Sequence, residues 1–308
     1  MIRRFNSYSN YCSTLFASPI RKISVAAGFS CPNRDGTLST GGCTFCSNAA
    51  FNPSYCKPEK SLRQQIEEGI EFHQRRHRKA SKYLAYFQPY SNTYKPLEEL
   101  QKIYAQALEI PEIVGIVIGT RPDLVDEPLL HHLNDLQKTH YVMLEYGVES
   151  VYDETLRRVN RGHDFATAER AIRLTAEHGI PCSGHFIFGL PGETKAMMLD
   201  AADVIAQLPL TTVKFHQLQI FRDTPMAVEF QQHPELFHLF DLEEYIDFVI
   251  DFVERLNPTV VIERFAGEVP PRYLIAEPWM KLRYDQVLQK IEARMEERET
   301  WQGRLFTS

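Results

Sequence analysis

No stretch of this chain approaches the apolar length that a membrane-spanning helix needs, so no helical membrane segment is expected. A basic pair, Arg3 and Arg4, opens the sequence, but Asn10, Ser13 and Ser18 interrupt the residues after it and no secretory apolar region forms. Six cysteines over 308 residues are too scattered for a disulfide framework. A reducing cytoplasm is therefore the expected setting, in which thiols stay free to bind metal. Low-complexity tracts and repeats of solenoid length are missing, and 44% hydrophobic with 24% charged residues is an ordinary globular composition. An excess of positive charge is also lacking: a net charge of -6 argues against a general cationic coat for nucleic acid.

The charge is unevenly spread. Residues 1 to 82 hold 13 Lys and Arg against 5 Asp and Glu, whereas the remainder holds 21 against 35. Within the basic quarter, Arg75, Arg76, His77, Arg78 and Lys79 form a run that can meet phosphates or simply end a solvated helix.

Apolar, β-rich runs recur at 23–27, 83–88, 113–119, 141–149, 182–189, 212–219 and 260–265, with helical patterns between them. Leu97, Leu100, Ile103, Tyr104, Ala107 and Leu108 follow helical spacing, as do Leu242, Tyr245, Ile246, Val249, Phe252 and Val253. Alternating strands and helices predict an α/β fold with a parallel sheet, because parallel strands need crossover connections. Six or seven such units suggest a partial or complete TIM-like (β/α) barrel, with active groups at the carboxyl ends of its strands; a doubly wound sheet is the alternative. Residues 1–22 form an N-terminal segment and 23–266 the barrel. Residues 267–308, marked by Pro270, Pro271 and Pro278 and by a charged helix from Lys281 to Arg298, form a short helical extension.

Chemistry concentrates behind the first strand. Cys31, Cys43 and Cys46 sit on a loop in which Gly36, Gly41 and Gly42 permit tight turns around a bulky guest. Three soft sulfur donors with no obvious fourth suit an iron-sulfur cluster with one open iron, whereas structural zinc normally closes its shell with four ligands. Zinc completed by Cys56, Cys12 or a histidine, and unligated thiols, remain alternatives; Cys12 and Cys182 read as small core residues.

Through this loop and the motifs downstream of it, the chain resembles the radical SAM superfamily over residues 20 to 270. Within it the likeness is to the YhcC-like branch related to the catalytic subunit of Elongator and to oxygen-independent coproporphyrinogen oxidase. The gap of eleven residues between Cys31 and Cys43 is longer than the superfamily's usual one. The resemblance implies that Cys31, Cys43 and Cys46 hold a [4Fe-4S] cluster whose fourth iron chelates S-adenosylmethionine. One-electron cleavage would then yield a 5'-deoxyadenosyl radical that takes a hydrogen atom from substrate, the protein orienting it and excluding side reactions.

The resemblance also assigns cofactor contacts. Gln88, Ser91, Asn92 and Thr93, at the end of the second strand, face the methionine part or form a turn. Glu149 closes the fourth strand as a partner of a cofactor hydroxyl or amine, and Arg161 pairs with the cofactor carboxylate; either can instead belong to a surface ion pair. Gly189 lies in a Gly-Leu-Pro-Gly-Glu turn beside adenine. His185 stands where some relatives carry a ribose-binding aspartate, or is a strand-face histidine. Gly119 departs from the pattern, since relatives often have a glutamate there; Arg121 and Asp123 beside it serve a ligand or pair with each other. On the sixth strand Lys214, His216 and Leu218 share one face, making Lys214 and His216 the candidate catalytic groups.

The likeness to Elongator and the basic N-terminal quarter point to tRNA as substrate, with a small metabolite or a protein as alternatives and flavodoxin or ferredoxin as electron donor. A zinc-containing, non-enzymatic RNA-binding module is the competing class.

Overall fold

The computed structural model describes residues 3–76, 81–276, 279 and 282–307; His77, Arg78 and Lys79 of the basic run lie outside these, as do Pro278 and Lys281. Seven strands form one sheet in strict sequence order: β1 (Ile20–Val25), β2 (Lys82–Phe87), β3 (Ile113–Thr120), β4 (Tyr141–Glu149), β5 (Cys182–Phe188), β6 (Thr212–Gln217) and β7 (Val261–Arg264). Every neighbouring pair is parallel. A doubly wound sheet would reverse its order at a switch point, and this one does not. Because β1 and β7 are not paired with each other, the barrel is partial.

The helices are α1 (Tyr8–Phe16), α2 (Leu62–Arg76), α3 (Leu97–Leu108), α4 (Glu127–Gln137), α5 (Asp153–Arg158), α6 (Phe165–Glu177), α7 (Lys195–Ala206), α8 (Pro225–Gln232), α9 (Leu242–Arg255) and α10 (Tyr284–Glu297). None of the described helices is long and apolar enough to cross a membrane. Side-chain caps start several of them: Asp126, Asp164, Thr194, Thr224 and Asp241 each accept a backbone N–H in the first turn, an arrangement worth about 1 kcal/mol apiece. In α9 the buried Tyr245, Ile246, Val249, Phe252 and Val253 face the sheet, as their spacing predicts.

Strand alternation divides the molecule into two cores. Outward-facing Ile23, Ala85, Ile116, Leu144, Phe186 and Phe215 pack under the helices. Inward-facing Ile20, Leu84, Val117 and Met143 meet Cys12 of α1, with Tyr8, Tyr11 and Phe16 beside it. Helix α1 thus plugs the barrel floor and spans the seam left by the unpaired edges. Ser7 makes a parallel bridge with Ile262, whose N–H donates to Asn6 O at 2.8 Å. Strand β1 starts at Ile20 rather than Ile23, so the expected limit at 22/23 falls inside a strand.

The C-terminal helix covers the β7 side. Helix α10 buries Val287, Ile291 and Met295, and Arg294 and Arg298 pair with Asp247 and Asp251 of α9. Beyond it, Gln302 donates to Asn257 O and Val260 O.

Candidate active site

The loop after β1 is folded by its own backbone and stapled to the segment between β4 and α6. Arg34 N–H donates to Cys31 O at 2.8 Å, Gly42 N–H to Asn33 O at 2.8 Å and Cys46 N–H to Cys43 O at 3.0 Å. Asn160 reaches across to Gly42 O, and Thr44 N–H donates to Val159 O. Gly42 has φ +86°, and a Cβ there would lie 2.8 Å from Arg34 Nε. Glycine at this position lets the Arg34 guanidinium fold over the turn and donate to Cys46 O.

Cys31, Cys43 and Cys46 are all free thiols and line one cavity of about 930 Å³ at the carboxyl ends of the strands. Arg161, almost fully buried, places Nη1 3.6 Å from Cys43 Sγ. Burial and the neighbouring Cys43 push the Cys46 thiol up, while Arg34 and Arg161 pull it down. Metal binding would displace such thiol protons. Three soft donors on one loop, flanked by two arginines that favour the thiolate, are the donor chemistry an iron-sulfur centre requires. Cys56 does not line the cavity: it sits in the outer core, where burial pushes its thiol up to about 12. Cys12 belongs to α1 and the barrel floor.

The remaining candidates divide by position. Gln88, Ser91, Glu149, Arg161, His185, Lys214 and His216 line the same cavity. Gln88 Oε1 accepts from Ser24 Oγ at 3.0 Å. Asn92, Thr93 and Gly189 are not among the lining residues. Asn92 Nδ2 donates to Phe87 O and Gly119 O, Thr93 Oγ1 meets Thr120 Oγ1 at 2.6 Å, and Gly189 is turned at φ +93° against His238 O. Their visible work is to hold turns. Arg121, 2% exposed, pairs with Asp123 and donates to Arg161 O at 2.6 Å, so it braces the segment carrying Arg161.

Glu149 follows a β-bulge between β4 and β5 and has φ +72°, a left-handed conformation that only surrounding contacts sustain in a non-glycine residue. Its Oε1 lies 3.7 Å from Arg161 Nη2. A Cβ on Gly147 would fall 2.5 Å from Glu149 Oε1 and 2.6 Å from Arg161 Nη2, so the pair depends on that glycine. Burial pushes the Glu149 carboxyl up, against the pull of Arg161 and His185.

Beneath these residues lies a charged layer. Glu145 Oε2 accepts from Lys214 Nζ at 2.7 Å and from His185 Nε2 at 3.0 Å, and Lys22 Nζ binds its other oxygen. Glu263 joins both lysines, at 2.8 Å from Lys22 and 3.1 Å from Lys214. Both ammonium groups also lie over the Tyr86 ring. Burial alone would raise the Glu145 carboxyl, but Lys214 and Lys22 outweigh it and hold it well below the usual range. Burial lowers Lys214 in spite of its two carboxylates. His216 is held well below the usual imidazole value by burial and by Arg264, so it is neutral. Of this layer the sequence pattern singles out only His185, Lys214 and His216. Lys22, Tyr86, Glu145 and Glu263 pass unnoticed, although a lone charge inside a run such as Tyr141–Glu149 is itself a signal.

An open parallel half-barrel whose polar groups converge at the carboxyl ends of its strands is the architecture of a barrel enzyme. The chain belongs to the radical SAM superfamily: the family model described as Radical SAM superfamily matches residues 36–205, and the Radical_SAM C-terminal domain matches 210–297. It uses the family's [4Fe-4S] cluster and S-adenosylmethionine, and the alternative of a non-enzymatic zinc module is set aside. Protein YhcC of Escherichia coli (strain K12) is 32% identical over 280 residues, 91% of this chain and 88% of that protein. A shorter stretch of 103 residues, 33% of this chain and 18% of the relative, is 35% identical to tRNA uridine(34) acetyltransferase of Methanocaldococcus infernus. Among solved structures, Elp3 of Methanocaldococcus infernus superposes with a TM-score of 0.66 at 18% identity, over 92% of this chain and 64% of that one, a likeness of fold.

Proposed function

We propose that Cys31, Cys43 and Cys46 ligate the cluster, that Gln88, Ser91, Glu149 and Arg161 bind S-adenosylmethionine, and that the cavity beyond admits a nucleoside of tRNA. The observation that carries this reading is the convergence of three thiols, the Glu149–Arg161 pair and the charged floor on one cavity. When bound, the cluster and S-adenosylmethionine supply one-electron carbon–sulfur cleavage and, from it, hydrogen-atom abstraction. Arg161 supplies charge beside Cys43 and a donor for a carboxylate; Glu149 accepts from a hydroxyl or amine. Lys214 is committed to Glu145 and Glu263, so its role is to position the floor. His185 is held by Glu145 through Nε2, and His216, its ring 5.9 Å from that of His185, is left to face a ligand.

Two observations support an anionic, RNA-derived substrate. Eight residues lining the cavity are Lys or Arg and four are Asp or Glu, in a chain of net charge -6. The Methanocaldococcus infernus acetyltransferase, a relative over part of this chain, carries tRNA uridine in its name. A reducing cytoplasm and a one-electron donor such as flavodoxin or ferredoxin complete the proposal.

Nucleosides digested from tRNA of cells with and without the gene test it by mass spectrometry. A modified uridine that disappears with the gene is expected. Identical profiles, alongside purified protein that forms 5'-deoxyadenosine, would move the substrate to a small anionic metabolite.

A further inference from the structure

Strand β7 ends in an irregularity that changes which side chains face inward. Val213 pairs with Ile262 and Lys214 with Arg264, so Glu263 is an extra residue opposite that step. A bulge of this kind lets two consecutive residues face one side, and both Glu263 and Arg264 line the cavity. Their fates differ. Glu263 is taken up by Lys22 and Lys214, whereas Arg264 makes no ion pair or side-chain hydrogen bond among the described residues; its guanidinium lies 5.9 Å from the Tyr284 ring centroid.

Two further polar groups stand unengaged nearby. His216 Nδ1 and Gln219 Oε1 both lie against Gly267, where a Cβ would be 2.8 and 3.1 Å from them, and both residues line the cavity. Neither side chain has a hydrogen-bond partner among the described residues. Lys22, Lys214, Glu145 and Glu263 neutralise one another, whereas Arg264, like Arg21 and Asp285 of the same lining, makes no ion pair among the described residues, so its guanidinium is open to a negative partner from outside the chain.

We infer that Arg264, with His216 and Gln219, forms a subsite for an oxyanion of the substrate, phosphate or carboxylate, on the β6–β7 side of the cavity. The guanidinium offers a two-pronged donor face, and a neutral imidazole and an amide add one N–H each. The subsite presupposes that the cavity is the substrate site. It is independent of whether that substrate is tRNA.

Equilibrium dialysis of anaerobic holoenzyme against labelled inorganic phosphate, and separately acetate, tests it with wild type, Arg264→Gln, Arg264→Lys and His216→Gln. Wild type should retain phosphate, Arg264→Gln should lose about tenfold or more of that affinity, and Arg264→Lys and His216→Gln should each keep part of it. S-adenosylmethionine, measured in parallel, should bind Arg264→Gln as tightly as wild type. Preference for acetate supports the subsite and makes the source a carboxylate. Equal anion binding by wild type and Arg264→Gln overturns the inference, and so does a parallel loss of S-adenosylmethionine affinity, which would return the arginine to the cofactor. Anion binding lost in Arg264→Gln, in protein that never forms 5'-deoxyadenosine, would leave the subsite standing and sink the radical reading.

Discussion

Arg161 Nη1 lies 3.6 Å from Cys43 Sγ while its Nη2 lies 3.7 Å from Glu149 Oε1, so one guanidinium ties the cysteine loop to the end of β4. Cys43 is buried and Glu149 largely so, and removal of the cation leaves that carboxylate with only the pull of His185. Arg161→Gln should therefore destabilise the fold by about 3 kcal/mol in urea unfolding and weaken S-adenosylmethionine binding. The double variant Arg161→Gln, Glu149→Gln should regain much of the stability and none of the binding. Recovery of both would show that the pair serves the fold alone.

The cysteines should separate by role. Cys43→Ala should lose the iron, acid-labile sulfide and visible absorbance of anaerobically purified protein, together with 5'-deoxyadenosine formation. Cys56→Ala should keep all of them, because Cys56 is a core thiol held protonated by its burial. Full iron in Cys43→Ala would remove this loop from the cluster.

The fold was legible because a partial barrel buries its strands on both faces, so they read as apolar runs. Tyr141–Glu149 is found to the residue. β1 is misread at its start because exposed Arg21 and ion-paired Lys22 interrupt its apolar pattern. The cysteine loop, Glu149 and Arg161 are legible as motifs. The charged floor is not, since its members come singly from β1, β2, β4, β5, β6 and β7 and only the curled sheet brings them together. Asn92 and Thr93 share a motif with Ser91 but turn away from the cavity, a difference that spacing does not encode.

The floor predicts a coupling. Lys214→Met leaves Glu145 and Glu263 sharing Lys22, and should cost about 3 kcal/mol in equilibrium unfolding. Adding Glu145→Gln removes the excess negative charge and should restore most of that loss, giving an interaction energy of about 1 kcal/mol or more in the double-mutant cycle. Strict additivity would mean that the two side chains do not feel each other.

Glu193 should give stability a pH dependence of unusual sign for a carboxylate. Burial pushes it up from 4.5 to about 7, although Ser150 and Thr155 donate to it. The folded chain then keeps a proton that the unfolded chain releases once pH passes 4.5. Between about pH 4.5 and 7 the folded state binds more protons, so this group makes stability fall as pH rises, with no further change above that window. Glu145 acts oppositely and lower: its depressed carboxyl adds stability that is complete above the ordinary carboxylate value and fades as acid protonates it. Glu193→Gln should therefore flatten the decline between pH 4.5 and 7 in urea midpoints while leaving the acid limb below 4.5 in place. An unchanged slope in that variant would mean that Glu193 is ionised at neutral pH, and that its contact with Ser150 is a carboxylate accepting a hydroxyl proton rather than a protonated pair.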